Sequence, residues 1–184
     1  MLEVPQALLD ERRSKGLDKS DEMWEGELHM VPPPSEAHQE LGAELFLALA
    51  PLAKTSGLLP RYDPTGVFRP GHDDDWRVPD QVYARPELRS ERGIEGAASL
   101  VVEILSPHDE TYRKLDWYGS VGVEQVLVID PSTRRVELYA NRDGRMMGED
   151  PDPDGTLHIA ALGVRAQTVG GKLRLTWEGG AADI

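Results

Sequence analysis

Two carboxylates in this chain stand where a carboxylate needs a partner. Glu103 interrupts the apolar run Leu100-Val101-Val102-Glu103-Ile104-Leu105, and Asp80 follows Pro79 at the mouth of a second strand-like run. A run that apolar reads as a strand covered on both faces, where an ionised side chain loses several kcal/mol of hydration unless a metal, a cation or a proton compensates. Alternation turns Val101, Glu103 and Leu105 to one face and Leu100, Val102 and Ile104 to the other, so the carboxylate looks toward something specific. The plainer alternative is a strand-edge glutamate satisfied by an arginine or by water, since structural ion pairs also bury carboxylates. Lys114 follows on the next helical stretch, and Asp80, Glu103 and a lysine are what metal-assisted phosphodiester cleavage requires. Hard divalent cations prefer oxygen ligands and must leave room for phosphate and water, while the ammonium stabilises charge developing on phosphate. The alternative for Lys114 is a surface lysine.

The elements that must position these groups follow from periodicity and punctuation. Leu2 to Lys15 reads as a short helix, and Trp24 to Val31 as a turn entering a strand stopped by Pro32-Pro33-Pro34. Ser35 is a helix N-cap for Glu36 to Lys54, which carries Leu41, Leu45, Ala48 and Leu52 on one stripe with Glu40 and Glu44 beside it; Pro51 is expected to kink or end it. Arg61 to Arg69 and Val78 to Ala84 read as a hairpin arm across the turn-rich Pro70 to Asp75, with Asp73-Asp74-Asp75 as a solvated tip. Ser106-Pro107 is expected to open a helix ending near Ser120, on which Thr111, Lys114 and Tyr118 share a side; Lys114 can face the sheet margin only if Tyr118 does. Glu124 to Ile129 and Arg134 to Tyr139 alternate around the turn at Asp130 to Thr133, and Leu157 to Ile159 and Lys172 to Trp177 are late strands. Leu100 to Ile129 is then a strand-helix-strand unit with parallel strands, and a mixed α/β sheet follows.

Composition narrows the function classes. The 184 residues suit one domain with its own core, and 39% apolar and 29% charged residues are ordinary for a soluble globular chain. The absence of cysteine excludes a disulfide scaffold, a thiol nucleophile and thiolate zinc sites, and it suits a reducing, cytoplasmic setting. Met1 to Gly16 lacks the apolar segment of a signal peptide, and no run approaches the ~20 apolar residues of a membrane span. The net charge of -13 repels phosphate backbones at long range. Acids gathered around a divalent cation change sign locally, and Arg61, Arg69, Arg77, Arg85 and Arg113 are candidates for a basic groove. Trp24, Trp76, Trp117 and Trp177 can stack bases, but in a chain with so few aromatics most are expected in the core.

The ordered set Pro79-Asp80, Val102-Glu103-Ile104-Leu105-Ser106-Pro107, Lys114, Tyr118, Gly122-Val123 and Val128-Ile129-Asp130-Pro131 resembles the Uma-two-type restriction endonucleases of the PD-(D/E)XK nuclease superfamily, and Trp24-Glu25-Gly26, Pro32-Pro33-Pro34 and His38 fit the same pattern. The resemblance spans about Met23 to Tyr139. It implies an α/β, or α+β, restriction-endonuclease-like mixed β-sheet flanked by α-helices, with residues 1–22 as a helical extension and 23–184 as the domain. It further implies a metal-dependent endonuclease acting on DNA, with Asp80 and Glu103 as ligands of Mg²⁺ or Mn²⁺, Lys114 as catalytic cation, His38 as a helix-start base or outer ligand, and a homodimeric assembly. The chain departs from the superfamily at Leu105, where a lysine usually stands two residues after the strand carboxylate. The resemblance places that lysine on the following helix, as Lys114; the alternative is a catalytically degenerate fold that binds nucleic acid or protein.

Overall fold

The computed structural model describes residues 5–62, 64–107 and 110–184. Its centre is a six-stranded mixed sheet in the spatial order β11 (Arg145–Gly148), β10 (Val136–Arg142), β9 (Gln125–Ile129), β8 (Leu100–Ile104), β6 (Gln81–Ala84) and β3 (Leu59–Tyr62). Strands β8 and β9 are its parallel pair, joined through α3 (Thr111–Ser120), which is the expected strand-helix-strand unit. All residues of β8 and β9 are buried, as a strand covered on both faces requires.

The alternation expected of β8 is what divides the core. Leu100, Val102 and Ile104 pack on one face with Leu41, Leu45 and Leu49 of α2 (Glu36–Thr55). That face is completed by a four-stranded antiparallel sheet, β12 (Leu157–Ile159), β13 (Val164–Val169), β14 (Lys172–Trp177) and β15 (Gly180–Asp183). Val101 packs on the other face with Trp117, Tyr118 and Val126, beneath α3. Glu103 therefore points to the α3 side, into the layer that holds Trp117 and Tyr118.

That side is closed by a small five-stranded sheet in the order β2 (Glu27–His29), β1 (Glu22–Trp24), β5 (Trp76–Arg77), β4 (Gly66–Phe68) and β7 (Gly93–Glu95). The expected hairpin arm is thus two arms. Pairing of β3 with β6 carries the central sheet, whereas β4 pairs with β5 in the small one. The interruption at Pro64 and Thr65 lets the chain change sheets, because proline cannot donate to a ladder. The N-terminal helix α1 spans Gln6–Ser14, inside the expected range.

Three local expectations need correction. Helix α2, capped by Ser35 Oγ accepting from the His38 amide at 3.3 Å, runs through Pro51 to Thr55. Pro51 lies on the exposed side, so the carbonyl it leaves without an amide, that of the 74% exposed Leu47, is free to meet water. Helix α3 begins at Thr111 rather than Pro107; Glu110, just before it, is held by His29 Nδ1 at 2.7 Å and by Arg113. His108 and Asp109 lie outside the described residues.

The third correction concerns the acidic turn. Asp73 and Asp74 are exposed, but Asp75 is 2% exposed and accepts from Arg69 Nε at 2.5 Å, Trp117 Nε1 at 2.8 Å and Arg77 Nη1 at 3.0 Å. Burial raises the Asp75 carboxyl, yet these donors and the Glu25 amide together hold it below its ordinary value of 3.8. Its contribution to stability is therefore present above pH 3.8 and lost as the pH falls through the depressed value. Asp75→Asn is expected to cost about 1–3 kcal/mol at neutral pH and to flatten the acid limb of thermal unfolding, measured by circular dichroism between neutral and strongly acidic pH.

The approach of α3 to the sheet also depends on one glycine. A Cβ on Gly119 would stand 2.7 Å from the Gly144 carbonyl oxygen and 3.0 Å from the Arg145 Cα, both backbone atoms of the β10–β11 hairpin. Gly119→Ala is expected to lower the urea midpoint by the equivalent of about 1–3 kcal/mol, because α3 must lift off the hairpin.

Candidate active site

Asp80 leaves Pro79 at the entrance of β6, and its Oδ2 accepts the Ile104 amide at 2.6 Å. That bond sets it beside Glu103, the preceding residue on β8, so the two expected carboxylates meet across the β6–β8 pair. The other Asp80 oxygen faces His38 Nε2 at 3.2 Å, from the first turn of α2. Burial works against the His38 imidazolium, but the Asp80 carboxylate, the Ile104 carbonyl and Glu103 raise its pKa above the ordinary histidine value.

Glu103 is 3% exposed and fully engaged. Its Oε1 accepts from the Tyr118 hydroxyl at 2.6 Å and lies 3.2 Å from Lys114 Nζ, with Oε2 at 3.3 Å from the same ammonium. Lys114 and Tyr118, four residues apart, thus face the sheet together, as helical spacing requires. Burial raises the Glu103 carboxyl above its ordinary value, against the pull of Lys114. Burial also disfavours the Lys114 ammonium, but Glu103 and Glu22 more than compensate and hold it charged well above the ordinary lysine range.

The structure adds one group that local sequence reading does not single out. Glu22, at the start of β1, is 1% exposed and sets Oε1 at 2.8 Å from Lys114 Nζ. The same oxygen accepts the Val78 amide at 3.0 Å, and Oε2 accepts from Trp24 Nε1 at 2.7 Å. Nothing local marks it, because Asp18, Asp21, Glu25 and Glu27 surround it in the sequence. Glu40 and Glu44 of α2 are exposed and contribute no carboxylate here.

A cleft of about 320 Å³ opens onto Asp80 and His38, walled by Val31, Pro34, Pro79 and Ser106. Asp80 retains 24% side-chain exposure, whereas the Glu103 side chain retains 4%. Among the described residues no group of three His, Cys, Asp or Glu could cage a metal ion. Two carboxylates beside an open cleft do fit the habit of Mg²⁺, which uses one or two protein carboxylates and completes its shell with water and substrate phosphate.

The candidate basic residues are not gathered into one groove. Arg69, Arg77 and Arg113 line a hollow with Trp24 and Trp117, while Arg85 and Arg61 border two other hollows. Arg69 and Arg77 are tied to Asp75, Arg85 to Glu124 and Arg113 to Glu110. Arg77 stacks 4.4 Å from the ring centres of both Trp24 and Trp117, so these tryptophans serve the join between the small sheet and α3.

Known proteins give the same reading of the fold. The family model described as "Uma2: Putative restriction endonuclease" matches residues 10–168. The crystal structure of a "putative nuclease" from Anabaena variabilis superposes with a TM-score of 0.59 at 21% identity, covering 74% of this chain and 79% of that one, and so shares the fold. No curated protein matches. No helix among the described residues is long and apolar enough to cross a membrane. With its model matched over most of its length and its mixed sheet shared with a solved neighbour, the chain belongs to the Uma2 family of restriction-endonuclease-type proteins.

Proposed function

We propose that this chain is a divalent-cation-dependent endonuclease that hydrolyses DNA phosphodiesters, with Asp80 and Glu103 as ligands of Mg²⁺ or Mn²⁺ and Lys114 as the catalytic cation. The observation that carries this reading is the buried Lys114 ammonium on Glu103, next to an Asp80 that faces an open cleft. Leu105 stands where a lysine is usual, and Lys114 supplies the missing charge at the same carboxylate from α3. The degenerate-fold alternative rests on Leu105, on the acidic surface and on the lack of a basic stripe; Lys114 beside Glu103 answers the first of these and supports the active reading.

The bound cation supplies electrostatic stabilisation of phosphate and lowers the pKa of water. Asp80, fixed by the Ile104 amide, presents its remaining oxygen to the cleft with His38 behind it. Lys114 donates to the negative charge that grows as the oxygen of water bonds to phosphorus and the bond to the leaving oxygen breaks. Tyr118 holds Glu103 in orientation by donating to Oε1. His38 orients Asp80 and can accept a proton when neutral. A homodimer, with one cleft offered to each DNA strand, belongs to the same reading, and light scattering on the purified chain tests it.

The experiment is cleavage of supercoiled plasmid and of single-stranded DNA with Mn²⁺, Mg²⁺ or EDTA. Cutting that appears only with metal supports the assignment. A folded protein that cuts nothing under any cation refutes it and returns the chain to a binding role.

A further inference from the structure

We propose that Glu22 is the positioning residue of this site, the seat that holds Lys114 in place so that Glu103 is free to serve a cation; the proposal rests on the nuclease reading above. Lys114 has two carboxylate neighbours, and the structure does not treat them alike. Its ammonium makes a single short contact to Glu22 Oε1 at 2.8 Å and straddles the two Glu103 oxygens at 3.2 and 3.3 Å. The ion pair to Glu22 is the shorter of the two, while the ammonium's hydrogen bonds go to both oxygens of Glu103.

Glu22 is also anchored independently of the lysine. The Val78 amide and the Trp24 indole both donate to it. Val78 lies two residues before Asp80, so the same carboxylate pins the segment that delivers Asp80 to the cleft. Trp24 stacks on His29 at 4.0 Å and carries Arg77 at 4.4 Å, and Arg77 rests on Trp117 of α3. The seat is therefore fixed from both the small sheet and the helix that bears Lys114.

Exposure sets Asp80 apart from the two buried carboxylates, and anchoring distinguishes Glu22. Glu22 and Glu103, with 2% and 4% side-chain exposure, are both absent from the walls of the cleft, and Glu22 accepts from two donors besides its ion pair to Lys114. Asp80 is a quarter exposed there and, among the described residues, accepts one backbone amide. A cation entering by the cleft would meet Asp80 first, with Glu103 buried next to it on β8. An ammonium held by Glu103 alone would then lose its partner, whereas one seated on Glu22 keeps its place and its charge.

The test reads the lysine itself. In metal-free protein with ¹⁵N-labelled lysine, the Lys114 ammonium is expected to give a slowly exchanging signal, identified by its disappearance in Lys114→Arg. It is expected to persist in Glu103→Gln and to vanish in Glu22→Gln. In cleavage assays Glu22→Gln is expected to lower kcat about 10- to 100-fold, the usual effect of removing a group that orients a site residue. KM for DNA and calorimetric Mn²⁺ affinity are expected to stay within about twofold, and Glu22→Asp, which keeps the charge, is expected to recover part of kcat. Loss of the signal in Glu103→Gln, its retention in Glu22→Gln, or its absence from the wild type overturns the proposal. A tenfold loss of Mn²⁺ affinity in Glu22→Gln overturns it as well, because Glu22 would then be a cation ligand. The first of these arms stands even if Glu22→Gln fails to fold. Failure of the wild type to cut DNA would sink the nuclease reading and leave the lysine signal to judge the seat by itself.

Discussion

Glu103→Gln is expected to reduce metal-dependent DNA cleavage about 100- to 1,000-fold or more, equivalent to about 3–4 kcal/mol of transition-state stabilisation, while leaving the fold in place. Glutamine keeps the shape of the side chain and an oxygen for the Tyr118 hydroxyl, and Lys114 retains Glu22. The loss would therefore report the missing charge rather than a collapsed site. A pH dependence accompanies it. Burial lifts the Glu103 carboxyl above its ordinary 4.5, so protonation competes with cation binding at a higher pH than for an exposed glutamate. Wild-type cleavage at subsaturating Mn²⁺ is expected to rise with pH through the lifted range and to be restored on the acid side by more metal. Single-turnover rates at several pH values and metal concentrations check both statements.

Lys114→Met is expected to be the most destabilising single change at the site, costing about 3–5 kcal/mol, because it leaves Glu22 and Glu103 buried without their shared cation. The sign of its pH dependence follows. With the ammonium gone, the buried Glu103 carboxyl loses the pull that lowers it and moves further up, so the variant is more stable at low pH, where Glu103 is protonated, than at high pH, where it must ionise in the interior. Wild type, whose Glu103 carboxyl is itself lifted by burial, is expected to show a smaller decline, because the charged Lys114 offsets part of that burial. Urea unfolding from mildly acidic to alkaline pH measures the difference. Adding Glu103→Gln to Lys114→Met removes one uncompensated charge and is expected to return part of the lost stability, a coupling that two independent sites would not give. Cleavage is expected to be lost in the methionine variant even where it is folded.

How much of this was legible in the sequence depends on whether the relevant physics was local. Glu103 stood out because an acid inside an apolar run conflicts with its neighbours, and the face it takes followed from the two-residue period of a strand. Lys114 and Tyr118 followed from the four-residue spacing of a helix. Glu22 was invisible for the converse reason: an acid among acids reads as surface, and only the pairing of β1 with β2 and β5 buries it. Asp75 was read as solvent-exposed by the same logic, and tertiary contacts with Arg69, Arg77 and Trp117 reversed that.

The late strands repeat the pattern. Leu157 to Ile159 and Lys172 to Trp177 carry apolar alternation and were legible as strands. Gly180–Asp183, made of small residues and an acid, forms β15 because β14 offers it a ladder, not because its own residues favour a strand. Residues 61–69 read as one strand, whereas the structure ends β3 at Tyr62 and starts β4 at Gly66. The sheet change at that point depends on which partner strand is closer in space.

The most direct measurement of the central claim is a calorimetric titration of Mn²⁺ into the wild-type chain and into Asp80→Asn and Glu103→Gln, each matched for folding by circular dichroism. The account predicts binding to the wild type that weakens at least about tenfold in each variant, since each removes one of two carboxylate ligands. Binding that both variants retain unchanged, or no binding to the wild type with or without DNA, would contradict it.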